Sequence, residues 1–164
     1  MRRAALCAAG FLALAAPAHA PAALPRHGVL VPGRSLGGVR LGETAARVAA
    51  ELGAHGVCRG CARTTWYFTY RPFDEHGLGI ELTRGRVSAV YTLWRPAGWH
   101  GPHGIALGGY DAQVTAQAGP LVPVACAGYR ALVSDTKGGD TAYYLVDGRL
   151  WAFGLFRPGA SPCR

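Results

Sequence analysis

The chain has 164 residues, 50% of them hydrophobic and 16% charged, and a formal net charge of +8. That length is enough for one compact domain or two fused small modules. Sixteen of its seventeen basic residues are arginine and they are scattered singly, so there is no basic stripe and no nucleic-acid partner is expected.

The first element is a leader. Arg2 and Arg3 precede an apolar run from Ala4 to Ala16, and Pro17 with Ala18-His19-Ala20 supplies a small-x-small cleavage site. This is the pattern of a secretory signal peptide over residues 1–20, cut near Ala20. The run is about 13 residues, too short to span a bilayer, and nothing later in the chain would stop transfer. The expectation is therefore an exported protein without a membrane span, secreted or periplasmic. Loss of Arg2 and Arg3 lowers its charge from +8 to +6.

Residues 21–35 are rich in Pro and Gly and read as an extended lead-in with no stable element before about Val29. From Thr44 the spacing of Ala45, Val48, Ala49 and Leu52 describes one narrow apolar helical face, stopped by Gly53 as a left-handed cap. Strands follow at Trp66–Tyr70, Leu78–Thr83 and Arg86–Trp94, the last two joined by Arg84-Gly85. Trp99-His100-Gly101-Pro102-His103 carries two imidazoles that could bind a metal, but its Gly and Pro make it a linker, residues 99–103.

The plan then repeats. Gly104-Ile105-Ala106-Leu107-Gly108 echoes Gly38-Val39-Arg40-Leu41-Gly42 at a distance of 66 residues. A second short helix carries Val114 and Ala118 on one face, with Asp111 near its N-terminus and Gly119-Pro120 as its stop. Strands are predicted at Tyr129–Ser134, Thr141–Val146 and Arg149–Phe156, with an Asp147-Gly148 hairpin turn 63 residues after Arg84-Gly85. A repeat of this length makes each unit one supersecondary module. The predicted fold is α+β, with module 1 at 36–98 and module 2 at 104–164. Each is a short helix, or helix pair, packed on a three- to four-stranded antiparallel sheet.

Strict alternation outward from the two turns assigns faces. Leu78, Ile80, Leu82, Val87, Ala89 and Tyr91 fall on the helix side of the first hairpin, and Tyr143, Leu145, Leu150, Ala152 and Phe156 on that of the second. The opposite face carries Glu81, Thr83, Arg86, Ser88, Thr92 and Trp94 in module 1, but Tyr144, Val146, Trp151, Phe153 and Leu155 in module 2. Such a cluster of large rings has the composition of a protein-binding hot spot. Tyr144, Trp151 and Phe153 are the candidate anchors, with Trp94, Tyr67 and Arg130 near the seam. The competing reading is that the same face is core.

Cys58, Cys61, Cys126 and Cys163 follow the leader, and an even number in an exported chain reads as two disulfides with three possible connectivities. The favoured pairing is Cys58 with Cys61 and Cys126 with Cys163, the second pinning the C-terminal tail after its sheet. Cys58-Arg59-Gly60-Cys61 also allows a redox-active dithiol, with Arg59 lowering a thiol pKa, or half of a zinc site with His55 or His76. The serines sit in no nucleophile elbow, and no glycine loop cradles a phosphate ahead of a helix. No catalytic residue, metal or cofactor is expected.

Leu41-Gly42-Glu43-Thr44, Val48, Leu52-Gly53 and Gly85-Arg86-Val87, with Leu107-Gly108, Gln113-Val114, Gly119-Pro120 and Gly148-Arg149-Leu150, carry a resemblance over most of residues 36–157. The pattern resembles the β-lactamase inhibitory protein fold, whose module is shared by small lipoproteins of the outer-membrane assembly machinery. That resemblance implies helices on one side of a sheet and a concave opposite side that grips a partner. It also implies a partner-inserting loop with an acidic residue, for which Asp74 in Arg71–Gly77 is the candidate. The function expected is a secreted, non-catalytic binding protein for a protein or other macromolecule of the envelope or extracellular space. A thiol-disulfide redox protein using the Cys58–Cys61 motif, or a structural envelope protein, is the alternative.

Overall fold

A computed structural model describes residues 23–164. The leader read at 1–20 lies outside the described residues. Eleven strands and two α-helices follow in order: β1 (Leu30–Val31), β2 (Ser35–Leu36), β3 (Val39–Arg40), α1 (Ala45–Leu52), β4 (Gly56–Val57), β5 (Thr64–Thr69), β6 (Gly77–Thr83), β7 (Arg86–Leu93), α2 (Asp111–Gln117), β8 (Val122–Cys126), β9 (Tyr129–Ser134), β10 (Asp140–Val146) and β11 (Arg149–Phe156).

These strands correct the fold class. In place of two helix-on-sheet modules there is a mostly β protein. One antiparallel sheet of eight strands runs β4-β5-β6-β7-β11-β10-β9-β8, and a separate three-stranded sheet runs β1-β2-β3. The reason is edge pairing. Each hairpin ends in a long strand with an open row of backbone donors and acceptors, which seeks a partner. Here β7 and β11 take each other, through Gly154 with Tyr91, Leu155 with Val90 and Phe156 with Ala89.

The local reasons for the elements are those of the sequence. Thr44 caps α1 by accepting a hydrogen bond from the Arg47 N–H at 3.3 Å, Val48 and Leu52 are buried, and Gly53 ends the helix at φ 83°. Arg84-Gly85 and Asp147-Gly148 turn with positive φ at both positions, as the twist of a two-residue hairpin requires. Both turns also anchor a helix. The Ala45 N–H donates to the Gly85 carbonyl at 2.9 Å, and the Asp111 N–H to the Gly148 carbonyl at 3.1 Å.

Between the helices, the small sheet and the inner face of the large sheet lies the main core, with Leu36, Val48, Phe68, Ile80, Trp99, Val114 and Phe153 all buried. Trp99, in the segment read as a linker, is part of it; its indole N–H donates to the Tyr70 hydroxyl at 2.7 Å. The lead-in contributes too, through Leu24 and Leu30.

Two bulges then overturn the strict alternation. Leu145 pairs with Leu150 but Tyr144 pairs with Ala152, leaving Trp151 unpaired, and Leu82 pairs with Val87 but Glu81 with Ala89, leaving Ser88 unpaired. One extra residue reverses every side chain beyond it. Phe153 and Leu155 therefore point into the main core, as does Val90, whereas Ala89, Tyr91, Ala152 and Phe156 pass to the outer face.

Candidate functional site

The outer face of the large sheet, opposite the helices, is paved by tyrosines lying over glycines. Cross-strand register sets Val133, Ala142, Gly154, Tyr91, Gly79 and Tyr67 in one row from β9 to β5. A Cβ on Gly79 would fall 2.4 Å from the Tyr91 ring, and one on Gly154 would fall 2.6 Å from the Tyr144 hydroxyl. Both rings therefore lie down across the sheet in space that only glycine leaves.

One half of this face is covered by the chain's own tail. After β11, Arg157–Ala160 form a turn closed by the Ala160 N–H on the Arg157 carbonyl at 3.1 Å, and Gly159 donates to the Asp140 carboxylate at 3.2 Å. Ala160 packs against the cluster of Ala131, Ala142 and Tyr144, and residues 161–164 continue outside any helix or strand. The Tyr144 hydroxyl donates to the Pro162 carbonyl at 2.7 Å. Tyr129 donates to the Arg164 carbonyl at 2.7 Å and accepts from its N–H at 2.6 Å. The Cys126–Cys163 disulfide fastens the tail to β8. The Arg164 guanidinium turns back along the face to Glu81, 3.1 Å away, and lies 5.2 Å over the Phe156 ring. Arg63 approaches the same carboxylate at 3.4 Å, so the buried Glu81 has two cationic partners.

The other half is open. A cleft of about 390 Å³ is lined by Tyr67, Tyr91, Leu93, Trp94 and Trp151, with Tyr144 and Arg164 at the tail side. Its shape follows from the seam. Pairing between β7 and β11 ends at Tyr91 and Gly154; the next N–H, of Phe153, donates to the Thr92 side-chain oxygen at 2.9 Å. Beyond that point Trp94 and Trp151 stand edge to face with centroids 5.5 Å apart. Arg95 stacks on Trp151 at 4.6 Å. The same two tryptophans border a second recess of about 280 Å³ with His76, Arg95 and Leu107. Trp94 is 47% exposed and has φ 50°, a conformation rare for a bulky residue and concentrated at functional sites.

Burial raises the pKa of the Tyr91 and Tyr144 hydroxyls, with Arg164 pulling the other way in both cases. They stay protonated near neutrality and remain hydrogen-bond donors. The loop after β5, whose His76 lines the second recess, presents Phe73 fully exposed, φ 64°. Asp74 serves this loop: its carboxylate accepts from the His76 N–H at 3.0 Å and engages His76 Nδ1 at 2.8 Å. Those hydrogen bonds hold its pKa below the usual carboxylate range.

The residues singled out from sequence thus divide. Trp151, Trp94 and Tyr67 line the open cleft, and Tyr144, 6% exposed, holds the tail. Phe153 is fully buried on the helix side against Tyr143 and cannot be a surface anchor. Arg130 is also off the cleft, pairing with Asp111 at 3.0 Å. Sequence reading missed Tyr91, Tyr129, Arg164 and Phe73. The signal for Tyr91 was the pair of glycines within β6, which a solvated strand would not favour.

The second disulfide, Cys58–Cys61, closes a surface turn between β4 and β5, with Cys61 Sγ 3.9 Å from the Tyr67 hydroxyl. In chain order the motif is flanked by two strands, β4 and β5, and does not open a helix as a thiolate-stabilising site would. Among the described residues no three His, Cys, Asp or Glu side chains converge as a metal site, and no helix is long and apolar enough to cross a membrane.

No protein-family model matches the chain, and no curated protein matches it in sequence. Among solved structures, the fold is similar to an extracellular protein containing an SCP domain from Bacillus anthracis str. Ames, with a TM-score of 0.51 and 9% sequence identity over 72% of this chain and 44% of that one. The match spans less than half of that protein's length, and at this identity it is a likeness of fold.

Proposed function

We propose that this chain is an exported, non-catalytic binding protein that holds a macromolecular partner on the open half of its outer sheet face. The observation that carries the reading is the cleft of about 390 Å³ lined by Tyr67, Tyr91, Trp94 and Trp151. Binding sites concentrate aromatic anchors in concave, mostly apolar surface of this size. The exposed Phe73, in the loop braced by the Asp74–His76 contacts, adds a projecting contact near the second recess that the same two tryptophans border. The two disulfides and the similarity to an extracellular protein support export. The resemblance to the β-lactamase inhibitory protein fold supports the inhibitor-like form of the reading, with the loop of Phe73 and Asp74 entering a partner's cleft.

The test is capture from the culture supernatant and envelope fraction with wild type and with Trp94→Ala/Trp151→Ala, whose fold is checked by circular dichroism. Loss of a specific partner from a folded variant supports the reading. Equal capture by both proteins refutes it.

A further inference from the structure

Resting on that reading, we propose that the partner is recognised as an extended, proline-bearing peptide segment laid along the open half of the outer face, beside the protein's own tail. The structure already contains one chain segment seated on this face. It reads Arg157-Pro158-Gly159-Ala160-Ser161-Pro162-Cys163-Arg164, and after an exposed turn at Pro158 it seats Pro162 on the face through the Tyr144 hydroxyl. Beyond its opening turn it forms no ladder with the sheet. Tyrosine hydroxyls take its carbonyls, at Pro162 and Arg164.

That mode suits proline for a physical reason. Proline has no N–H to satisfy, and its fixed φ leaves an extended chain whose carbonyls face outward and whose rings pack on aromatic surface. Aromatic grooves are the recurring solution for such ligands, because little conformational entropy is lost on binding them.

The open half repeats the same materials. Tyr67 and Tyr91 supply phenols, the Tyr91 ring lying low over Gly79, and Trp94 and Trp151 supply two rings at the far wall. A glycan would need free polar side chains to fix its hydroxyls. The carboxylate on this stretch of the face, Glu81, is already engaged by Arg63 and Arg164. The tail forms one bank of the cleft through Arg164, so an incoming segment would run against a chain of its own kind.

The experiment uses the disulfide-intact exported chain. A random peptide display library is panned on wild type and counter-selected on Trp94→Ala/Trp151→Ala, and selected peptides are synthesised and titrated by intrinsic tryptophan fluorescence. The expected result is enrichment of proline-bearing sequences whose affinity falls about ten-fold or more in Trp151→Ala, as for a hot-spot ring. Tyr91→Phe, which preserves shape and removes only the hydroxyl, should weaken them measurably. Winners that lack proline, or no binder dependent on the two tryptophans, would overturn the proposal. If the native partner is still captured through Trp94 and Trp151 while no such peptide binds, the broader reading stands and the peptide class is wrong. If neither occurs, both fall.

Discussion

Trp151 is the unpaired residue of the β10–β11 bulge, and the ring of Trp94 meets it edge-on with centroids 5.5 Å apart. The bulge turns Trp151 toward the point where β7 and β11 stop pairing, so the same irregularity sends Phe153 into the core and builds the wall of the cleft. Edge-to-face ring pairs contribute about 0.5–1.5 kcal/mol beyond their burial. A double-mutant cycle on Trp94→Ala and Trp151→Ala, read by chemical denaturation, should therefore give a favourable coupling of about 1 kcal/mol.

Phe153→Ala behaves differently from Trp151→Ala. Phe153 is fully buried against Tyr143, and truncating such a ring costs about 3–5 kcal/mol through lost transfer energy and the cavity left behind. Thermal denaturation should show Phe153→Ala severely destabilised and Trp151→Ala affected far less. The reverse order would mean that the bulge register is wrong.

Gly79→Ala places a methyl 2.4 Å from the Tyr91 ring, at a backbone conformation that alanine tolerates. The ring must lift, with an overpacking cost of about 1–3 kcal/mol. Near-ultraviolet circular dichroism should change, and adding Tyr91→Ala should recover part of the loss. Failure of that second substitution to help would show that the glycine serves the strand and not the ring above it.

The two disulfides should contribute unequally. Cys126–Cys163 closes a separation of 37 residues, whereas Cys58–Cys61 closes one of 3. On the chain-entropy account the longer loop contributes roughly 3–4 kcal/mol and the shorter one about half of that. Cys126→Ala/Cys163→Ala should lower the melting temperature more. It should also speed amide exchange at positions 161, 163 and 164, because only the hydrogen bonds of Tyr129 and Tyr144 and the contacts of Arg164 with Glu81 and Phe156 then hold the tail.

Alkali should unfold the protein. Burial holds the Tyr143 hydroxyl up at about 12 and raises Tyr91 and Tyr144 as well. In the unfolded chain these phenols ionise near pH 10. Above that pH the unfolded state binds fewer protons than the folded one, so stability is full below about pH 10 and is lost as pH rises toward 12 and beyond. Denaturant midpoints should be flat across neutral pH and fall above pH 10, less steeply in Tyr143→Phe.

Much of the local structure was legible because it is local. Gly53, Arg84-Gly85 and Asp147-Gly148 announce a helix end and two hairpins by backbone chemistry alone, and the continuous apolar run Leu150–Phe156 after the second turn marks a strand. What was not legible depends on partners distant in sequence. No residue of β7 states that its free edge will meet β11. The two-residue strands near Ser35 and Gly56 are too short for periodicity, and a bulge leaves no mark in the apolar alternation it inverts. The candidate site suffered accordingly. Trp151, Trp94 and Tyr67 were found by their size. Phe153 was assigned to the wrong face, and Tyr91 was hidden on the helix side by the Ser88 bulge.

The central claim is that the open half of the outer face, and not the helix side, meets the partner. A photo-cross-linking phenylalanine analogue placed at position 151, at position 94 and, as a control on the small sheet, at the exposed Val31 tests it directly in the producing culture. The account predicts a discrete cross-linked partner from positions 151 and 94 and none from 31. Equal cross-linking at all three positions, or cross-linking from 31 alone, would contradict it.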